Sequence, residues 1–110
     1  MNPNVGSVTA NPIEVRIDRD HVLPGRAWCA ESPRALIAIV HGLGEHSGRY
    51  AALASDLVGL SYTVVCLDLP GHGDAPGPRG DMRSWIQVRD QAIPAMFSAS
   101  RGLPGQPPEL

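Results

Sequence analysis

The sequence predicts an α/β fold with an incomplete, partly parallel sheet, and three observations carry that expectation. Residues 35–40 (Ala-Leu-Ile-Ala-Ile-Val) and residues 62–67 (Tyr-Thr-Val-Val-Cys-Leu) are almost continuously apolar, as in strands buried on both faces of a parallel sheet. Between them the apolar spacing becomes helical, which makes a strand–helix–strand crossover. Each run ends abruptly in a glycine-rich loop, the place where open α/β sheets hold their ligands.

The elements follow in order. Residues 1–12 are rich in Asn, Pro, Gly and Ser and read as a loose leader. Residues 13–17 alternate apolar and polar, the period of a strand with one wet face, and residues 18–21 read as a polar turn containing His21. Residues 23–30 return as a second strand that Pro24-Gly25 breaks or bulges at its start, so the pair forms an antiparallel hairpin at a sheet edge. After the run 35–40, a helix begins near Arg49 with Tyr50, Leu53, Leu57 and Val58 on its inner stripe. Gly59 stands where a helix C-terminus takes a positive φ. After the run 62–67 and a Gly/Pro-rich loop to Asp81, Ser84 caps a second helix reaching Ser100, with Trp85, Val88, Ala92 and Met96 facing inward. Pro94 lies inside that stripe and predicts a kink or an early end. Trp28 also reads as core.

Composition bounds the function. The chain of 110 residues is 43% hydrophobic and 18% charged, with 9 basic and 11 acidic side chains, the make-up of a globular protein. All basic residues are arginines, scattered from Arg16 to Arg101, so no basic face favours nucleic acid as a partner. Cys29 and Cys66 both lie in apolar, strand-like segments and read as buried free thiols. The N-terminus lacks the charged and apolar regions of an export signal, and no window offers the roughly 18 apolar residues of a membrane-spanning helix. The expectation is a soluble, cytoplasmic protein with no integral membrane segment.

Two loops carry the chemistry. The first is His41-Gly42-Leu43-Gly44-Glu45-His46-Ser47-Gly48-Arg49-Tyr50, and the second is Asp68-Leu69-Pro70-Gly71-His72-Gly73. Glycines leave the backbone bare, so a peptide N–H can approach a bound group. An oxyanion hole needs such fixed donors, aimed at charge developing on a carbonyl oxygen.

Together these loops resemble those of the monoacylglycerol lipase and lysophospholipase-like group of α/β-hydrolases, of the serine aminopeptidase S33 type. Gly77-Pro78-Arg79-Gly80 continues the likeness, although Asp74-Ala75 stands where related sequences carry a Ser two residues after the Gly-His-Gly. The resemblance implies a carboxylic ester hydrolase of the Ser-His-Asp kind, acting on a small-molecule ester or lipid, with no metal and no organic cofactor. It implies that the backbone N–H of Leu43 is one oxyanion donor and that Glu45 and Arg49 lie near the polar leaving group. His41, Gly42, Gly44, Asp68, Gly71, His72 and Gly73 would hold the loops in shape.

The family's next element is a strand running into a Gly-x-Ser-x-Gly nucleophile elbow, and no serine here has that frame: Ser47 sits in Gly-Glu-His-Ser-Gly and Ser61 in Gly-Leu-Ser-Tyr-Thr. Residues 13–110 therefore read as the N-terminal segment of a single α/β-hydrolase domain, cut before the nucleophile, with all triad residues outside it and the 110-residue chain alone inactive. Association with a separately encoded C-terminal half is an expectation of that reading. Three alternatives compete. A dinucleotide-binding βαβ unit would use Gly42, Gly44 and Gly48, but Ser47 occupies the third glycine position of Gly-x-Gly-x-x-Gly. A metal site from His41, His46, His72 and Asp68 lacks a ligand spacing of known type. A non-catalytic interaction module would use the unpaired sheet edge.

Overall fold

The computed structural model describes residues 8–42, 44–81 and 85–103. Its sheet has four strands, β1 (Asn11–Arg16), β2 (Val22–Trp28), β3 (Ala35–Ile39) and β4 (Tyr62–Leu67), in the order β1-β2-β4-β3. β1 and β2 form the antiparallel hairpin, β2 runs antiparallel to β4, and β3 is parallel to β4. Helix α1 (Ala51–Gly59) connects β3 to β4, giving the strand–helix–strand unit that the sequence predicts.

Alternation along the strands sends side chains to two cores. On one face Val15, Leu23, Ala27, Val65 and Leu67 pack with Val88, Ala92 and Met96 of the C-terminal helical segment. On the other, Trp28, Val64 and Cys66 pack with Ala54 of α1. Helices thus cover both faces of a mixed sheet, the layering of the α/β class. β4 is buried from Thr63 to Leu67, as a central strand must be. Cys29 packs toward the first core and Cys66 toward the second, so the sheet separates the two thiols, and both are free.

Several local expectations need correction. Asn11 and Pro12, assigned to the leader, belong to β1 and pair with Ala27 and Arg26, while Val8 and Ala10 pack against the Trp28 core. Pro24-Gly25 does not break β2. Gly25 leaves no room for a side chain between β2 and β4: a Cβ there would meet the Cys66 carbonyl oxygen at 2.5 Å and the Leu67 Cα at 2.7 Å. β3 is not buried on both faces. Ala35 is exposed and Leu36 to Ile39 are half-buried, because β3 is an outer strand with no neighbour on its far side among the described residues.

The helices differ in detail for steric reasons. The segment after the first loop opens with a 3₁₀ turn, Ser47–Tyr50, before α1. Its buried positions are Ala54 and Ser55, and Leu53 is 48% exposed, because small side chains let the helix approach the sheet closely. The positive φ that Gly59 was expected to take falls on Ser61, at 70°. The second helical segment is built from α2 (Trp85–Gln87), a π turn (Val88–Ala92) and α3 (Ile93–Ser100). Pro94 cannot donate a helical hydrogen bond; the wide turn precedes it and the helix carries on to Ser100 instead of ending. Val88, Ala92 and Met96 face the core, but Trp85 is 50% exposed, since α3 lies against β1, β3 and β4 whereas α2 makes no comparable contact with the sheet. The predicted cap, Ser84, lies outside the described residues.

Candidate active site

Both chemistry-bearing loops leave the carboxyl ends of neighbouring parallel strands, so the topology places them side by side. His41 follows β3 and is 3% exposed. Its Nε2 accepts the backbone N–H of Leu69 at 2.9 Å, and its Nδ1 lies 2.9 Å from the Gly42 carbonyl oxygen. A neutral ring makes both bonds only with the proton on Nδ1, so one imidazole fixes its tautomer and ties the first loop to the second. His72 is also buried, with Nδ1 donating to the Pro70 carbonyl at 3.0 Å. The two rings lie 5.2 Å apart and tilted. His72 Nε2 is buried and has no hydrogen-bond partner among the described residues.

The first loop is closed by Glu45. The Glu45 N–H donates to the Gly42 carbonyl at 3.1 Å, and Glu45 Oε1 accepts the Gly42 N–H at 3.0 Å. Gly44 turns the chain with φ of 79°. Glu45 Oε1 also accepts the Tyr50 hydroxyl at 2.6 Å, and Oε2 pairs with Arg49 Nε at 2.9 Å. The Tyr50 hydrogen bond, followed by the Gly42 N–H, holds the Glu45 carboxyl below the usual carboxylate range, and the same contact raises the Tyr50 phenol. Arg49 stands near a helix N-terminus, where a cation is mildly unfavourable, and is offset by a carboxylate one turn earlier. Leu43, the predicted oxyanion donor, lies outside the described residues.

The second loop is organised around Asp68, 2% exposed. Its Oδ1 accepts the Ser47 N–H at 2.6 Å and its Oδ2 the Asp74 N–H at 3.1 Å. Burial pushes its pKa up, but these two N–H bonds and the Ser47 hydroxyl outweigh it, and the net shift is downward. Gly73 is required beside it: a Cβ there would meet the Asp68 carboxyl carbon at 2.6 Å. Gly71, at φ of 78°, is bonded to Pro76 and Gly80 through its backbone. Arg79 caps the carbonyls of Gly73, Ala75 and Gly77.

Geometry sorts the predicted residues. His41, Gly42, Asp68, His72 and Gly73 come together under the two loops, whereas Glu45 and Arg49 form an ion pair on the first loop's outer side, with the Arg49 side chain 66% exposed. Four participants were missed: Ser47, Tyr50, Arg26 and Arg79. Arg26 Nε donates to Ser47 Oγ at 3.2 Å, and its signal was a lone charge inside an otherwise apolar internal strand. A cavity of about 390 Å³ opens on this side, lined by Arg26, Asp68, Asp74 and Glu14 among others; neither Glu45 nor Arg49 lines it. Among the described residues no group of three His, Cys, Asp or Glu side chains could hold a metal ion, and no helix is long and apolar enough to cross a membrane.

The family profile described as serine aminopeptidase, S33, matches residues 31–107. Human monoglyceride lipase is 43% identical over 76 residues, covering 66% of this chain and 25% of that protein. Phospholipase YtpA of Bacillus subtilis is 41% identical over 64 residues, covering 58% of this chain and 25% of that protein. The match therefore spans a quarter of the length of these relatives. Among solved structures, a thermostable carboxyl esterase from Bacillus coagulans superposes with a TM-score of 0.69 at 20% identity, covering 90% of this chain and 34% of that one. The Pyrococcus furiosus esterase Pf2001 gives 0.65 at 16% identity, covering 92% and 39%. With the family profile spanning both loops and the strands that carry them, the chain belongs to the serine aminopeptidase S33 family of α/β-hydrolases.

Proposed function

We propose that this chain supplies the oxyanion loop and part of the leaving-group pocket of a serine ester hydrolase acting on monoacylglycerol or lysophospholipid-type esters. The observation that carries the reading is the first loop itself: bare glycines at the end of β3, held from below by His41 and closed by Glu45. In it the Leu43 N–H is one donor to the carbonyl oxygen as it gains charge. Arg49 faces the polar leaving group, with Glu45 beside it. None of the serines within the 110 residues has the nucleophile frame, so on this reading the nucleophile comes from polypeptide beyond them, together with the acid and base that follow it in the chain order of α/β-hydrolases. That polypeptide, contiguous or separately encoded, would pair with the open side of β3 and extend a single α/β-hydrolase domain. The substrate class is supported by the names of the human and Bacillus relatives.

A chimera tests this. Residues 31–107 replace the corresponding stretch of human monoglyceride lipase, and the purified product is assayed on a monoacylglycerol beside the isolated chain. Hydrolysis by the chimera and none by the isolated chain is the expected result. A folded chimera without hydrolysis overturns the reading, as does turnover by the isolated chain.

A further inference from the structure

We propose that Glu45 is a positioning residue, the brace that fixes the first loop against α1, and that the more exposed Arg49 is the member of the pair that meets a ligand. This rests on the oxyanion-loop reading above and assigns Glu45 a different task from the leaving-group contact first inferred for it.

A carboxylate oxygen has about two lone-pair sites. Glu45 Oε1 fills both, with the Gly42 N–H at 3.0 Å and the Tyr50 hydroxyl at 2.6 Å. Oε2 faces the Arg49 Nε at 2.9 Å. The same residue's N–H closes the turn onto the Gly42 carbonyl at 3.1 Å. Glu45 thus grips Gly42 by both its donor and its acceptor, and joins it to Tyr50 at the threshold of α1. Tyr50 is half-buried and packs with Leu57 and Val58 against the Trp28 core. Through Glu45 and Tyr50 the Gly42 end of the loop is tied to α1 and the Trp28 core, in addition to the ties that His41 and Ser47 make to the second loop. Arg49, by contrast, projects outward on the same turn.

A ligand-binding carboxylate keeps an oxygen for its ligand; a brace spends its oxygens on the protein. The two roles separate in the 110-residue chain itself, by amide hydrogen exchange and by ultraviolet titration of the tyrosines, of which there are only Tyr50 and Tyr62. In Glu45→Ala the Gly42 amide should exchange about tenfold faster, and the raised Tyr50 phenol should titrate at lower pH. The Ser47 amide, held by Asp68 rather than Glu45, stays protected and reports that the fold survives. Glu45→Gln keeps an acceptor oxygen and should restore the Gly42 protection. Unchanged Gly42 exchange and Tyr50 titration in Glu45→Ala, with Ser47 still protected, overturn the proposal; so does a Glu45→Gln chain that behaves like Glu45→Ala. Neither readout needs ester hydrolysis, so a failed brace and a failed hydrolase reading appear in different experiments.

Discussion

The carboxylate of Asp68 accepts the backbone N–H of Ser47 at 2.6 Å, and this bond joins the loop after β4 to the loop after β3. Its second oxygen holds Asp74, so one buried side chain sets the spacing between the two loops. A hydrogen bond to a charged group contributes about 1.5–3 kcal/mol, and Asp68→Ala should lower stability by about 3 kcal/mol in urea denaturation. Asp68→Asn should cost less, because it retains an acceptor for Ser47 while its amide opposes the Asp74 N–H.

The same bonds give a pH dependence. The Asp68 pKa is lower in the folded chain than its ordinary value of 3.8, so the folded state binds the proton less well. Its contribution is fully present above that value and is lost as the pH falls through the lower folded pKa. Denaturant midpoints measured from pH 6 down to pH 2 should fall less steeply in Asp68→Asn than in the parent. Identical slopes would remove Asp68 from the account.

Gly25 and Gly44 separate two reasons for glycine. Gly25 has no room for a Cβ between β2 and the Cys66 carbonyl, whereas Gly44 has open space but a φ of 79°. Gly44→Ala should cost about 1–2 kcal/mol from left-handed strain, and Gly44→Asn less. Gly25→Ala should cost about 3 kcal/mol or more, because backbone rather than a flexible side chain must move. Thermal melts of the variants rank them, and an innocuous Gly25→Ala would contradict the β2–β4 packing.

Trp28 and Trp85 look alike in sequence and should behave differently. Trp28 is 1% exposed at the centre of the second core and Trp85 is 50% exposed. Trp28→Ala is expected to cost about 3–5 kcal/mol, Trp85→Ala only about 0.5 kcal/mol. Tryptophan emission checks the assignment independently: in Trp28→Ala the remaining fluorescence should be red-shifted and readily quenched by iodide.

The cysteines differ as well. Burial, and then the nearby Asp68 charge, push the Cys66 thiol up to about 12, while half-buried Cys29 is raised by burial alone, against a contact from Asn11. A thiol reagent at pH 8 should therefore modify Cys29 in the native chain and reach Cys66 only in denaturant. Native Cys29→Ser protein reacting as fast as the parent would show that the Cys66 core is open.

How much was legible follows from what each feature depends on. β4 runs over 62–67 as the sequence indicates, because a strand buried on both faces writes that burial into every residue. β3 shares the apolar pattern but not the burial, since its outer place in the sheet is a property of topology that local sequence does not carry. The helix faces departed from expectation where hydrophobicity alone set the inner stripe: Leu53 and Trp85 are large and exposed and Ala54 is small and buried, whereas Val88, Ala92 and Met96 face inward as the spacing predicts. The loops were legible as a pair because glycine and histidine follow abruptly on apolar strands. The bonds between them were not, because Ser47 meets Arg26 and Asp68 across separations of 21 residues that no short pattern spans.

The most direct test of the central claim is the Leu43→Pro substitution in the chimera with human monoglyceride lipase, which removes the one N–H proposed to meet the developing oxyanion. The account predicts a fall in kcat of about 10²–10³ with little change in KM, in a protein whose melting and substrate binding match the unsubstituted chimera. A folded Leu43→Pro chimera that keeps the full kcat would show that this loop does not supply the oxyanion donor, and the proposed function would fall with it.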